Sequence, residues 1–143
     1  MGFWDSIIGS EKAEVAASDE KSSNPFAVSV SFAPLRLSAK NRSSVNLVVK
    51  VTNVSKSPQL VSVDALLPKD AVIGFDPACI NKAAEKRLGE IKAGATVEVP
   101  ITIWSSSQTK EGNYGIDVTV FSHYIGYEKV VSYIKKSTAL RAV

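Results

Sequence analysis

Chemistry in this chain of 143 residues would have to run through very few side chains. His123 is the single histidine, so a Ser-His-Asp relay or a histidine-based zinc site would have to use it. The spacing favours neither. There is no G-x-S-x-G elbow and no H-E-x-x-H pair, and Phe121-Ser122-His123-Tyr124 falls where a strand would end. A hydrolase built on His123 is therefore the least favoured reading, and a solvated or hydrogen-bonded strand-end histidine the plainest. Cys79 is the single cysteine, so no internal disulfide forms, and with no histidine beside it a buried or loop thiol is expected rather than a nucleophile. Asp64, Asp70, Asp76 and Asp117 lie on separate segments, and no D-x-D-x-D-G loop gathers oxygens for calcium. The expectation is a chain with no catalytic residues, no metal, no cofactor and no small-molecule substrate.

Two aromatic residues remain. Tyr114 opens a late segment between Gly112 and Gly115, where a corner tyrosine packs its ring inward and bonds a loop carbonyl through its hydroxyl. Trp104, followed by Ser105-Ser106-Ser107, falls on the polar face of its segment. Packing at the rim is its plainer role, and anchoring a partner or a sugar ring is the alternative.

The elements that position these residues read as strands. Val45, Leu47, Val49 and Val51 alternate with Asn46, Val48, Lys50 and Thr52. Val97, Val99, Ile101 and Ile103 repeat the pattern, as do Tyr114, Ile116, Val118 and Val120. A period of two puts one face in a core and the other in water, which predicts antiparallel strands. Further strands are expected over Phe26–Phe32, with Leu35 and Leu37 continuing it past Pro34, over Leu60–Leu67, and in short pieces at Val72–Phe75 and Leu88–Ile91. Residues Ala78–Arg87 are the least strand-like stretch and suggest one helical turn. Lys92-Ala93-Gly94-Ala95 makes a tight turn, and the last two strands run over Tyr114–Tyr124 and from Glu128 to about Leu140. The count is seven or eight strands, an all-β Greek-key sandwich over residues 26–143.

Four segments in order carry a resemblance: Val51-Thr52-Asn53-Val54-Ser55, Leu66-Leu67-Pro68, Leu88-Gly89-Glu90-Ile91-Lys92-Ala93-Gly94 and Gly112-Asn113-Tyr114-Gly115-Ile116-Asp117-Val118. The region from about residue 26 to 124 resembles the bacterial and archaeal immunoglobulin-like domains of the CARDB and NEW3 type. Ser55 and Ala93 stand where those domains commonly have Gly and Pro. The resemblance implies an immunoglobulin-like sandwich used for adhesion or spacing. It names no ligand, because its motifs are turn and corner signatures.

The N-terminal end has a different character. Residues 1–15 read as an amphipathic helix in which Phe3, Trp4, Ile7 and Ile8 fall within an arc of about 140°. Residues 16–25 read as a polar linker ending at Pro25. Acidic residues predominate in the first 24 positions, with Asp5, Glu11, Glu14, Asp19 and Glu20 against Lys12 and Lys21. The net charge of +3 is too small and too scattered to argue for nucleic acid. No run approaches the roughly 20 apolar residues of a membrane helix, and the first residues lack the basic and apolar regions of a secretory signal. A cytoplasmic location is therefore expected.

These features favour a non-catalytic interaction or scaffold module. The sandwich would take another protein, or a second copy of itself, on a strand edge or loops, with the N-terminal helix as tether or oligomerisation element. The alternative is a peripheral protein at the inner membrane face, held by insertion of Phe3, Trp4, Ile7 and Ile8.

Overall fold

The computed structural model describes residues 24–143, which fold as strands and loops without a helix. The expected helix over residues 1–15, with Phe3, Trp4, Ile7 and Ile8, lies outside the described residues, as does the linker apart from Asn24 and Pro25. The strands are β1 (Phe26–Ala33), β2 (Arg36–Leu37), β3 (Ser43–Asn53), β4 (Gln59–Leu66), β5 (Ile73–Gly74), β6 (Ala83–Ile91), β7 (Thr96–Ser105), β8 (Gly112–Tyr124) and β9 (Gly126–Ala142).

They form two sheets, one of four strands in the order β1-β3-β7-β5 and one of five in the order β2-β9-β8-β4-β6. Alternation explains why each sheet has an inner face. Val45, Leu47, Val49 and Val51 of β3, Val61, Val63 and Ala65 of β4, and Ile116, Val118 and Val120 of β8 are all buried in one core shared by both sheets. Asn53 closes one end of that core. Its buried side chain donates to the carbonyls of Ser57 and Ile91 and accepts from the backbone N–H of Ser55, so no polar atom is stranded. At Lys92–Ala95 the Ala95 N–H bonds the Lys92 carbonyl and Gly94 has φ 79°, a conformation that favours glycine in this turn.

Three expectations need correction. There are nine strands among the described residues rather than seven or eight. The stretch Ala78–Arg87 contains a turn, with the Cys79 N–H bonded to the Asp76 carbonyl, and then enters β6, which starts at Ala83 and is far longer than the piece at Leu88–Ile91. Ala-Ala-Glu-Lys-Arg has low strand propensity, but pairing along β4 decides the conformation. Leu37 does not continue β1: after Pro34 the chain changes sheets, and β2 pairs in parallel with β9.

Candidate interaction edge

Each sheet ends in two outer strands, and these are the places where an added strand could pair. β2 and β5 have two residues each and offer almost no ladder. β2 covers only Arg141 and Ala142 of β9, and β5 only Trp104 and Ser105 of β7, so the rest of those two strands also has a side without a paired strand among the described residues. Of the strands that end a sheet, β6 and β1 are the two with a long ladder.

β6 is protected in four ways. Glu85, Lys86, Arg87 and Glu90 charge it along its length. Lys86 pairs with Val63, whose side chain is in the core, so its ammonium extends from the core-facing side of an outer strand, a position that repels an incoming neighbour. A bulge between Val61 and Ser62, with Gly89 at φ 75°, bends the pairing with β4. Finally, the Tyr127 hydroxyl accepts the Gly89 N–H at 2.9 Å, and the Arg87 guanidinium lies 4.7 Å from the centre of the Tyr127 ring.

β1 lacks the charges, the lysine on the core-facing side and the bulge, and its one brace is at its start, where the Asn24 side chain donates to the Tyr133 carbonyl of β9 at 2.8 Å. The eight residues of β1, Phe-Ala-Val-Ser-Val-Ser-Phe-Ala, include no charge and no proline. Val28, Val30 and Phe32 are half-buried, whereas Val51, Val49 and Leu47 directly across on β3 are fully buried. The ladder fixes where the main chain points. Val54 donates to the Pro25 carbonyl, while Asn53 turns its N–H to Ala95 on the β7 side. Bonded and non-bonded pairs alternate in an antiparallel ladder. Ala27, Ser29, Ser31 and Ala33 therefore exchange bonds with β3. The N–H and C=O groups of Val28, Val30 and Phe32 face the open side, where no strand pairs among the described residues. The Phe26 N–H is capped by the Asn24 side chain at 2.8 Å.

The remaining sequence-predicted residues are distributed over the fold and do not converge. Tyr114 packs against the core and donates its hydroxyl to the Lys110 carbonyl, the bond a corner tyrosine makes. Trp104 is half-buried in β7 between Ser44 of β3 and Gly74 of β5. Cys79 is buried, its thiol directed at the Trp104 carbonyl at 3.4 Å, and burial pushes its pKa up, which keeps it a thiol. Gly74 beside it is obligatory, since a Cβ there would meet the Cys79 Cα at 2.4 Å. Asp76 accepts the N–H groups of Asn81 and Ile80, and these bonds hold its carboxyl below the usual range. Among the described residues no group of three or more His, Cys, Asp or Glu side chains is placed to hold a metal.

His123 has a partner that spacing did not reveal. The β4–β8 register brings Ser62, 61 positions away in sequence, to 2.7 Å from His123 Nε2. The Tyr127 ring sits edge-on to the imidazole at 5.1 Å. The other ring nitrogen, Nδ1, is buried and has no partner among the described residues, none of whose carboxylates orients the ring, and Ser62 itself is only 1% exposed. Asp64, one pleat further along β4, is held above the usual carboxylate range by burial and by Glu85 directly across on β6, against a smaller opposing effect of His123. At the far end of β8 and β9, Tyr124, Ile125, Val130 and Val131 form an exposed apolar apex, with Ile125 at φ 69°.

No family model and no curated protein matches the chain. Solved structures do. The chain is similar to part of the Pseudomonas fluorescens alkylpurine DNA glycosylase AlkC bound to DNA containing an abasic site analog, at 17% identity and a TM-score of 0.48, over 82% of this chain and 31% of that one. It is also similar to part of E. coli alpha-2-macroglobulin in its native conformation, at 15% identity and a TM-score of 0.53, over 81% of this chain and 6% of that one. The chain thus spans well under half of either protein. The macroglobulin likeness concerns fold alone.

Proposed function

We propose that this chain is a non-catalytic protein-interaction module that receives a partner strand along β1. The single observation behind this reading is the asymmetry of the outer strands. β6 is charged and bulged, whereas β1 is uncharged, regular and turns the main-chain groups of Val28, Val30 and Phe32 outward. Main-chain pairing supplies affinity in such an arrangement, and the alternate side chains supply specificity. An immunoglobulin-like Greek key of the CARDB and NEW3 type suits this role. The order β1-β3-β7-β5, with β4, β8 and β9 in the opposite sheet, supports an immunoglobulin-like reading, since such sandwiches divide as A-B-E-D and C-F-G. Residues 1–23 precede β1 in the sequence and would act as tether to the same partner.

Site-specific photo-crosslinking in cells tests the reading. A photoreactive residue at Ser31, exposed on β1, is expected to give covalent protein adducts, while the same residue at Lys86, exposed on β6, gives none. Adducts at Lys86 with none at Ser31 would overturn it.

A further inference from the structure

We propose that the strand received by β1 is β1 of a second copy of this chain, antiparallel and centred on Ser29. This rests on the reading of β1 as the receiving edge and adds the identity and register of its occupant.

The sequence of β1 is nearly its own reverse. From Ser29 outward, Val28 is matched by Val30, Ala27 by Ser31, and Phe26 by Phe32. Two copies related by a two-fold axis at Ser29 therefore set Val28 against the partner's Val30 and Phe26 against the partner's Phe32. Ala27 meets the partner's Ser31 on the other face. Such an interface is isologous, each patch being complementary to itself.

Hydrogen-bond parity selects the same alignment. Only residues whose main-chain groups face outward can exchange bonds across the junction, and these are the even-numbered ones. An axis at Ser29 pairs even with even: Val28 with the partner's Val30, and Phe32 with the partner's Phe26. The capped Phe26 N–H is not needed, because its carbonyl accepts from the partner's Phe32. About six main-chain bonds result, counted by the antiparallel pattern. Side-chain chemistry agrees. The half-buried apolar positions Val28, Val30 and Phe32 gain cover, and small residues meet small residues outside. No charged residue lies on β1, so juxtaposing two copies brings no like charges together on the paired strands. The joined sheet runs β5-β7-β3-β1 and then β1-β3-β7-β5 of the partner.

Ser29 is the one position on β1 that meets itself, which makes it the test. It is exposed and lies across from Lys50 of β3, so a glutamate there suits its own sheet. In sedimentation of the full chain, the wild type is expected to shift from monomer to dimer as concentration rises. Ser29→Glu and Ser29→Lys should each weaken association at least tenfold while keeping the circular dichroism of the wild type. An equimolar mixture should associate again. Wild-type-like association of both variants, or no recovery on mixing, would overturn the proposal.

Cysteine cross-linking provides a second readout that stands even where the lysine variant folds poorly. A non-bonded antiparallel pair places its Cα atoms about 4.5 Å apart, within disulfide reach. Ser29→Cys should therefore oxidise to a covalent dimer, and Ser31→Cys, on the same exposed face, should not. Equal cross-linking at both positions would overturn the register. Photo-crosslinks from Ser31 to a different protein, with no self-association, would overturn this inference and leave the edge reading intact. Absence of any adduct on β1 would overturn both.

Discussion

β1 and β6 are each the outer strand of one sheet, and similar in length, yet they meet solvent with opposite chemistry. β6 carries a charge on the core-facing side at Lys86, loses register at a bulge and is braced by Tyr127 and Arg87 from β9 and from within. β1 is regular over its whole pairing with β3 and contains nothing that would repel a neighbour. Of these two long terminal strands, only β6 is armed against pairing. On β6 several such devices are stacked on one strand, whereas β1 has only the Asn24 cap at its first residue.

The comparison breaks first if β1 is loosely held, because a frayed strand makes a poor template. Phe26 is 5% exposed and anchors β1 in the core. Phe26→Ala should cost about 3–5 kcal/mol in urea unfolding. Leu88→Ala, removing a half-buried side chain from β6, should cost clearly less. A larger loss at Leu88 would mean that β6 is the better-anchored edge.

The refusal of β6 can be removed by one change. Lys86→Val replaces the charge on the core-facing side with a strand-forming apolar residue. Association in sedimentation should strengthen by about tenfold, equivalent to roughly 1.4 kcal/mol. An unchanged association constant would show that the lysine does not guard the edge.

The brace contributes less. Tyr127→Phe removes the acceptor of the Gly89 N–H and should lower stability by about 1 kcal/mol. Hydrogen exchange at Gly89 should accelerate while Ala27 and Ser29 keep their protection. The smallest effect concerns Asp64 and Glu85, two carboxylates directly opposite on β4 and β6. Burial and Glu85 raise the Asp64 pKa, so the native state binds the proton more tightly than the unfolded chain. The contribution of this group to stability is present at low pH and is lost as pH rises from the ordinary aspartate value through the raised native one. Asp64→Asn should therefore stabilise by about 0.5 kcal/mol at neutral pH, and the gain should vanish in acid unfolding curves.

Much of this architecture was legible because alternation survives into the fold. The strands around Val45–Val51, Val97–Ile103 and Ile116–Val120 follow from period two alone, and Tyr114 makes the corner bond that its glycine neighbours suggest. β6 was not legible. Its residues look helical or loop-like one by one, and only its place beside β4 makes their charges useful. The change of sheets after Pro34 was hidden for a similar reason, since Leu37 fits the alternation of either sheet. The Ser62–His123 bond depends on the register of two strands far apart in sequence. The candidate site was legible only as a kind: a strand edge was expected, but which strand stands outermost is a property of topology and not of any local pattern. Phe3, Trp4, Ile7 and Ile8 lie outside the described residues.

Residue-resolved hydrogen exchange at increasing protein concentration reads the outward main-chain groups of β1 directly. Ala27, Ser29 and Ser31 should be protected at every concentration. Val28, Val30 and Phe32 should exchange rapidly in dilute solution and gain protection together as concentration rises, while the edge of β6 does not change. Protection of Val28, Val30 and Phe32 that is independent of concentration, or protection that grows on β6 instead, would contradict strand pairing along β1.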